Sequence, residues 1–264
     1  MGYATLCQIK PAIVMMEEMF MGKATAFTAR ADRLLEGAKR VAAERRKPVK
    51  KAAEVKLGVL QKAVSLYITP HVKQIHGVDV YKLRTIFRLV EEYFTFCRCS
   101  DFRNLQARHV RKVGRAVEFT FPSSKNDQMH RGQVTLVTAN DTELCPVKIT
   151  ELYFQRFGLR WGEAGGDNRF LHARIRKEAG RHNIDGRTAA SSSKAREELK
   201  KLLGDMGEES QGVTDKRLKM MGVTGTLEAG TSAEEVALHG RWRSLDMPLR
   251  YKHNSMEYKK QTAA

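Results

Sequence analysis

No run in this 264-residue sequence comes near the roughly 20 consecutive apolar residues that a helix needs to span a bilayer. The N-terminal stretch MGYATLCQIKPAIVMM has no basic segment leading into a long apolar one, so it does not read as a secretory signal. Gly2 follows the initiator Met, but the residues after it make a poor myristoylation signal. The four cysteines (Cys7, Cys97, Cys99, Cys145) form no CxxC pair, and the eight histidines show no ligand spacing beside them. Neither a disulfide framework nor a zinc site is supported, so reduced and mostly buried thiols are expected. Internal repeats and long low-complexity tracts are missing too. Acidic residues are in deficit: 30 Asp and Glu face 47 Lys and Arg, for a formal net charge of +17. What remains is a soluble, folded, intracellular chain, nuclear if its source is eukaryotic, with no membrane partner. Its charge favours a polyanion, nucleic acid before an acidic membrane surface.

With 42% hydrophobic residues the chain can bury a core, as one large domain or two modest ones. Residues 1 to about 45 read as helical. From Lys39 to Lys51 the run KRVAAERRKPVKK then carries seven cations against one Glu, and Pro48 breaks the helical pattern. This predicts a basic linker between a module at 1–50 and a domain at 51–264, with Arg45, Arg46, Lys47, Lys50 and Lys51 as nucleic-acid contacts. Leu83, Ile86, Phe87, Val90 and Phe94 recur at helical spacing, so 81–96 is predicted to be an amphipathic helix. Arg98 follows it directly, a charge at the end of a buried-looking segment, which needs a partner such as Asp101 or Glu91.

The period then changes. RAVEFTF (115–121) and QVTLV (133–137) alternate as strands do, and the turn-rich PSSKNDQMHRG between them predicts a hairpin with Lys125 in its loop. A helix is expected from Cys145-Pro146, with proline at an early position. Residues 161–195 read as irregular connections around short helices. Farther on, Thr231-Ser-Ala-Glu234 reads as a capping box, its helix ends near His239-Gly240, and a last helix carries Tyr251.

These motifs together resemble the tyrosine recombinases of the phage-integrase type. Arg98-Cys-Ser-Asp-Phe is similar to their R-x-S-E-L segment, and Lys125 to their hairpin lysine. His239-Gly-Arg-Trp-Arg-Ser, with Tyr251 twelve residues after the histidine, looks like the ending of recombinases carried by eukaryotic mobile elements, as does Cys145-Pro-Val. The family's H-x-x-R element falls, without gaps, on Lys216-Arg-Leu-Lys219, which places lysine at both positions. A shift by two residues would use Thr214 and Arg217 instead. The resemblance covers roughly residues 37–264. It implies a mainly α fold with a small antiparallel hairpin or sheet (α+β), a catalytic domain over 51–264, and a helical core-binding remnant before it.

The resemblance also implies a chemistry. A phenol with a pKa near 10 becomes a nucleophile only where cations or a base favour loss of its proton. Attack on a phosphodiester piles charge on the non-bridging oxygens, which positioned donors must meet. Arg98 supplies a planar fork for that task, His239 a further donor, Lys125 a proton for the departing sugar oxygen, and Tyr251 the nucleophile. Lys216 and Lys219 complete the catalytic set, while Arg217, Arg241 and Arg243 join the linker cations as DNA contacts. Lysine at 219 brings charge without bidentate geometry, so a slow recombinase and a degenerate DNA-binding relative both stay open. No cofactor or metal is implied. The partners implied are double-stranded DNA and further copies of the chain on it, and Trp242 is expected to be a packing anchor.

Overall fold

The computed structural model describes residues 19, 26–44, 56–122, 132–162, 166–178, 181–210, 213 and 216–254. The chain divides into two compact units, Met1–Lys51 and Ala52–Ala264. The first contains helix α1 (Ala26–Glu44), on which Glu36 and Lys39 approach to 3.7 Å one turn apart. The linker cations Arg45, Arg46, Lys47, Lys50 and Lys51 lie outside the described residues.

The second unit is built around α3 (Val80–Phe94), which packs against α2 (Leu57–Tyr67), α5 (Pro146–Phe157), α6 (Ser192–Asp205) and α7 (Lys216–Glu228). The Asp79 carboxylate starts α3 by accepting from the Tyr81 and Lys82 amides at 2.8 and 3.0 Å. Leu83, Ile86, Phe87 and Val90 are buried as their spacing predicts, and Phe94 is half-buried. Arg84, Arg88, Glu91 and Glu92 are buried as well, so this helix is covered on every side. Each buried charge there meets a partner. Arg84 donates to Glu198 and to the Ala173 carbonyl, Arg88 pairs with Glu92 at 3.0 Å, and Thr150 donates to Glu91 at 2.9 Å. Burial drives the Glu91 carboxyl up to about 8, which leaves it largely neutral around α3.

After α3 come the short helix α4 (Cys99–Arg103) and an antiparallel sheet of β1 (Val110–Val113), β2 (Ala116–Phe121) and β3 (Gln133–Thr138), in that order. The β2–β3 register pairs Ala116 with Thr138 and Phe121 with Gln133, as the alternating pattern predicts. Phe119, Phe121, Thr135 and Val137 face inward, while Val134 and Leu136 point outward on the edge strand. The hairpin loop with Lys125 lies outside the described residues. Cys97, Cys99 and Cys145 are buried thiols, as expected; Cys7 lies outside the described residues.

Two expectations are corrected. Much of 161–195 is ordered: β4 (Ala173–Glu178) and β5 (Arg181–Ala189) form an antiparallel pair, and α6 begins at Ser192, capped by Ser191. The strands hid because they carry charge on both faces, as where Arg176 meets Asp185 at 2.8 Å, and only Ile175 and Ile184 are large apolar residues. The capping box sits one residue later than expected. Ser232 accepts from the Glu235 amide at 3.2 Å and Glu235 accepts from the Ser232 amide at 3.0 Å, opening α8 (Ala233–His239). The last described helix is α9 (Asp246–Asn254), which carries Tyr251. No described helix is long and apolar enough to cross a membrane.

Candidate active site

The site is assembled where α3 ends. Phe96 adopts a left-handed backbone (φ 50°), which turns the chain sharply and sets Arg98 in extended conformation at the start of α4. Asp101 holds the arginine from both ends. Its carboxylate accepts from the Arg98 amide at 3.2 Å and lies 3.8 Å from the guanidinium. The Arg98 side chain stays 38% exposed, so its fork can still meet a ligand.

Helix α7 crosses the end of α3 at Gly222. A Cβ there would collide with the Tyr93 carbonyl and press on the Phe96 ring, so only glycine permits the approach. The close crossing carries Lys219, one turn earlier, into the neighbourhood of Arg98. Lys219 is 6% exposed, and its Nζ lies 4.4 Å from the centre of the Trp242 ring. Burial, then the positive charges of Arg98 and Arg241, push its pKa down to about 8. Lys216 and Arg217 form the first turn of the same helix.

The segment His239-Gly-Arg-Trp closes the site. The end of α8 is a Schellman turn: the Trp242 amide donates to Ala237 O at 2.9 Å and the Arg241 amide to Leu238 O at 3.1 Å. Gly240 makes room for the Trp242 ring, which lies where a Cβ at 240 would stand. His239 Nε2 sits 2.7 Å from the Phe94 carbonyl. Because a carbonyl only accepts, this nitrogen carries the hydrogen. Burial and then Arg241 depress the pKa of the imidazole, against the opposing Phe94 hydrogen bond. In this arrangement the His239 Nε2–H is committed to the Phe94 carbonyl.

Arg241 points inward. Its Nη1 donates to the Thr95 carbonyl at 3.0 Å and to the Thr135 hydroxyl, and its guanidinium lies 4.1 Å from the centre of the Phe121 ring. Tyr251 is half-buried, with its ring 5.8 Å from that of Trp242. Burial raises its pKa, while Arg98 and Arg250 oppose the rise. The phenol is therefore protonated at rest in a positive field.

The structure thus brings together Arg98, Lys219, His239, Arg241 and Tyr251, with Asp101 and Trp242 supporting them. Arg243 is exposed beside the cluster in sequence, and Lys125 lies outside the described residues. Sequence reasoning assigned Arg241 to the DNA surface and missed Thr95 and Thr135, which carry no motif signal. Trp242 packs as expected and also covers Lys219. Among the described residues no group of three or more His, Cys, Asp or Glu side chains is placed to hold a metal ion.

Comparison with solved structures places the fold. The XerH site-specific recombinase, in a post-cleavage complex with a palindromic difH substrate, matches with a TM-score of 0.54 at 10% identity, over 96% of this chain and 71% of that one. The XerA recombinase matches with a TM-score of 0.53 at 12% identity, over 99% and 81%. The fold is that of the tyrosine recombinases. A Tn1549 transposon integrase in complex with circular-intermediate DNA has the tyrosine-recombinase likeness too, with a TM-score of 0.51 at 12% identity, over 98% and 84%. No protein-family model and no curated protein matches the chain. At these identities, what is shared with the tyrosine recombinases is the fold.

Proposed function

We propose that this chain breaks and rejoins strands of duplex DNA through Tyr251. The observation that carries the reading is the gathering of Arg98, Lys219 and Arg241 around one carboxylate, Asp101, beside a tyrosine. A phosphodiester would supply the negative charge that this cluster lacks. In the proposed step the Tyr251 oxygen forms a bond to phosphorus and its proton passes to solvent. The bond to the 5′-oxygen breaks, and that oxygen takes a proton from Lys125. The 3′-phosphotyrosyl link keeps the ester energy for rejoining, so the step uses no ATP.

The reading extends to what recombination requires: two DNA sites, hence self-association of copies on DNA, in an intracellular compartment. The HGRWRS ending supports kinship with recombinases of eukaryotic mobile elements. Nicked suicide substrates incubated with the full chain should give a protein–DNA adduct that resists denaturant, and Tyr251→Phe should abolish it. Tight DNA binding by wild type with no adduct on its own recognised site would sink the enzyme reading.

One observation favours a second reading, a DNA-binding relative with impaired catalysis. Lys219 stands where the family has arginine, and with a pKa of about 8 it is a conditional charge without a bidentate fork. Lys219→Arg should raise the cleavage rate, by as much as about 10²-fold if the missing donor limits it. An unchanged rate would point to another group as the second clamp.

A further inference from the structure

We propose that Arg241 is a positioning residue, latched through Thr135 and the Thr95 carbonyl, that fixes the turn carrying His239 against the turn carrying Arg98. The inference rests on the strand-cleavage reading for its catalytic consequence and on geometry alone for the latch. It begins with an outlier. Arg241 occupies the left-handed position (φ 58°) that follows the helix cap in a Schellman turn, where glycine is the usual residue. Here the glycine stands one place earlier, at 240, where Trp242 needs the room. A non-glycine residue in that conformation points to a role for its side chain.

What it does is join three elements. Nη1 bonds the Thr95 carbonyl, at the end of α3 and three residues before Arg98. The same Nη1 donates to Thr135, which is 3% exposed on β3, and the Thr135 hydroxyl in turn donates to the His239 carbonyl at 3.3 Å. His239 bonds back to Phe94, next to Thr95. The loop of contacts Phe94–Thr95–Arg241–Thr135–His239 therefore closes on itself. Phe96 packs edge-on to the His239 ring at 4.7 Å within it. An arginine recruited only to touch DNA would leave its fork in solvent, as Arg243 can.

The test reads the His239 ring by nitrogen NMR on the full chain, with the signal assigned by its loss in His239→Gln. Wild type should show a neutral Nε2–H tautomer that titrates below free histidine. Thr135→Val, which removes only the hydroxyl, and Arg241→Gln should both convert that single tautomer to a mixture. Arg241→Gln should also raise the titration point, because its charge opposes protonation of the ring. In cleavage assays both variants should lose about a hundredfold in adduct formation, and Thr135→Val should keep the DNA affinity of wild type. Should Arg241→Gln fail to fold, Thr135→Val alone decides. An unmoved His239 ring in a folded variant overturns the latch, as does lost DNA affinity with the ring unmoved. A moved ring in a protein whose wild type forms no adduct supports the latch and sinks the cleavage reading instead.

Discussion

Two regions of the second unit bury positive charge, and they treat it in opposite ways. Around α3, Arg84 faces Glu198 and Arg88 faces Glu92, each arginine with its own carboxylate. Around Tyr251, Arg98, Lys219 and Arg241 share Asp101. In the first arrangement charge is balanced pair by pair, and removing one partner strands the other in a low-dielectric interior. The second has more cations than carboxylates, and burial, then the charges of Arg98 and Arg241, depress the pKa of Lys219. Buried charge is thus balanced pair by pair in one region and in excess of carboxylate in the other.

The sharpest way to break this contrast is Arg84→Met. It leaves the Glu198 carboxylate without its main partner and should cost about 3–5 kcal/mol in urea denaturation. A loss as small as that of a surface substitution would erase the distinction between the two regions.

Glu91 gives the next effect. Its carboxyl holds a proton in the folded chain up to about 8 but releases it near 4.5 when unfolded. The folded state therefore binds the extra proton, and stability falls as pH rises across that window. His172 works the other way. Burial depresses it to about 4 from 6.5, so its contribution rises with pH between those values and offsets Glu91 below 6.5. Between pH 6.5 and 8 wild type should lose up to about 1.4 kcal/mol per pH unit relative to Glu91→Gln. Parallel stability curves for the two proteins would show that Glu91 ionises freely.

The smallest effect sharpens the other side. Protonated Lys219 is disfavoured in the fold, so its charge opposes stability below about pH 8 and the opposition fades as pH rises through that value toward 10.5. Lys219→Met at pH 7 should leave stability unchanged or raise it by about 1 kcal/mol, while DNA binding weakens. Destabilisation comparable to that of Arg84→Met would place Lys219 among the balanced charges.

The sequence made α3 legible because its apolar residues repeat at helical spacing, and β2 and β3 legible because theirs alternate. It made Arg98 and Tyr251 legible through motif order. The strands β4 and β5 were not legible, since RIRKE and RHNIDGRT offer no apolar face to alternate. The cap moved from Thr231 to Ser232 because adjacent hydroxyls, each three residues from a glutamate, satisfy the same pattern. The inward setting of Arg241 was not legible for a deeper reason: charge in a sequence reads as solvent exposure, and only the left-handed turn after α8 aims this arginine inward. His239 was found by its spacing, but which of its nitrogens is free depends on a backbone carbonyl 145 residues away, and no pattern encodes that.

The crossing at Gly222 has one more consequence. The placement of Lys219 is governed there by a methyl group that is missing. The Tyr93 carbonyl acts as a fulcrum, and Lys219 rides on the lever arm three residues, roughly 4.5 Å, away. The reach of Lys219 is thereby set apart from the inventory of charges, at a position that only glycine can occupy.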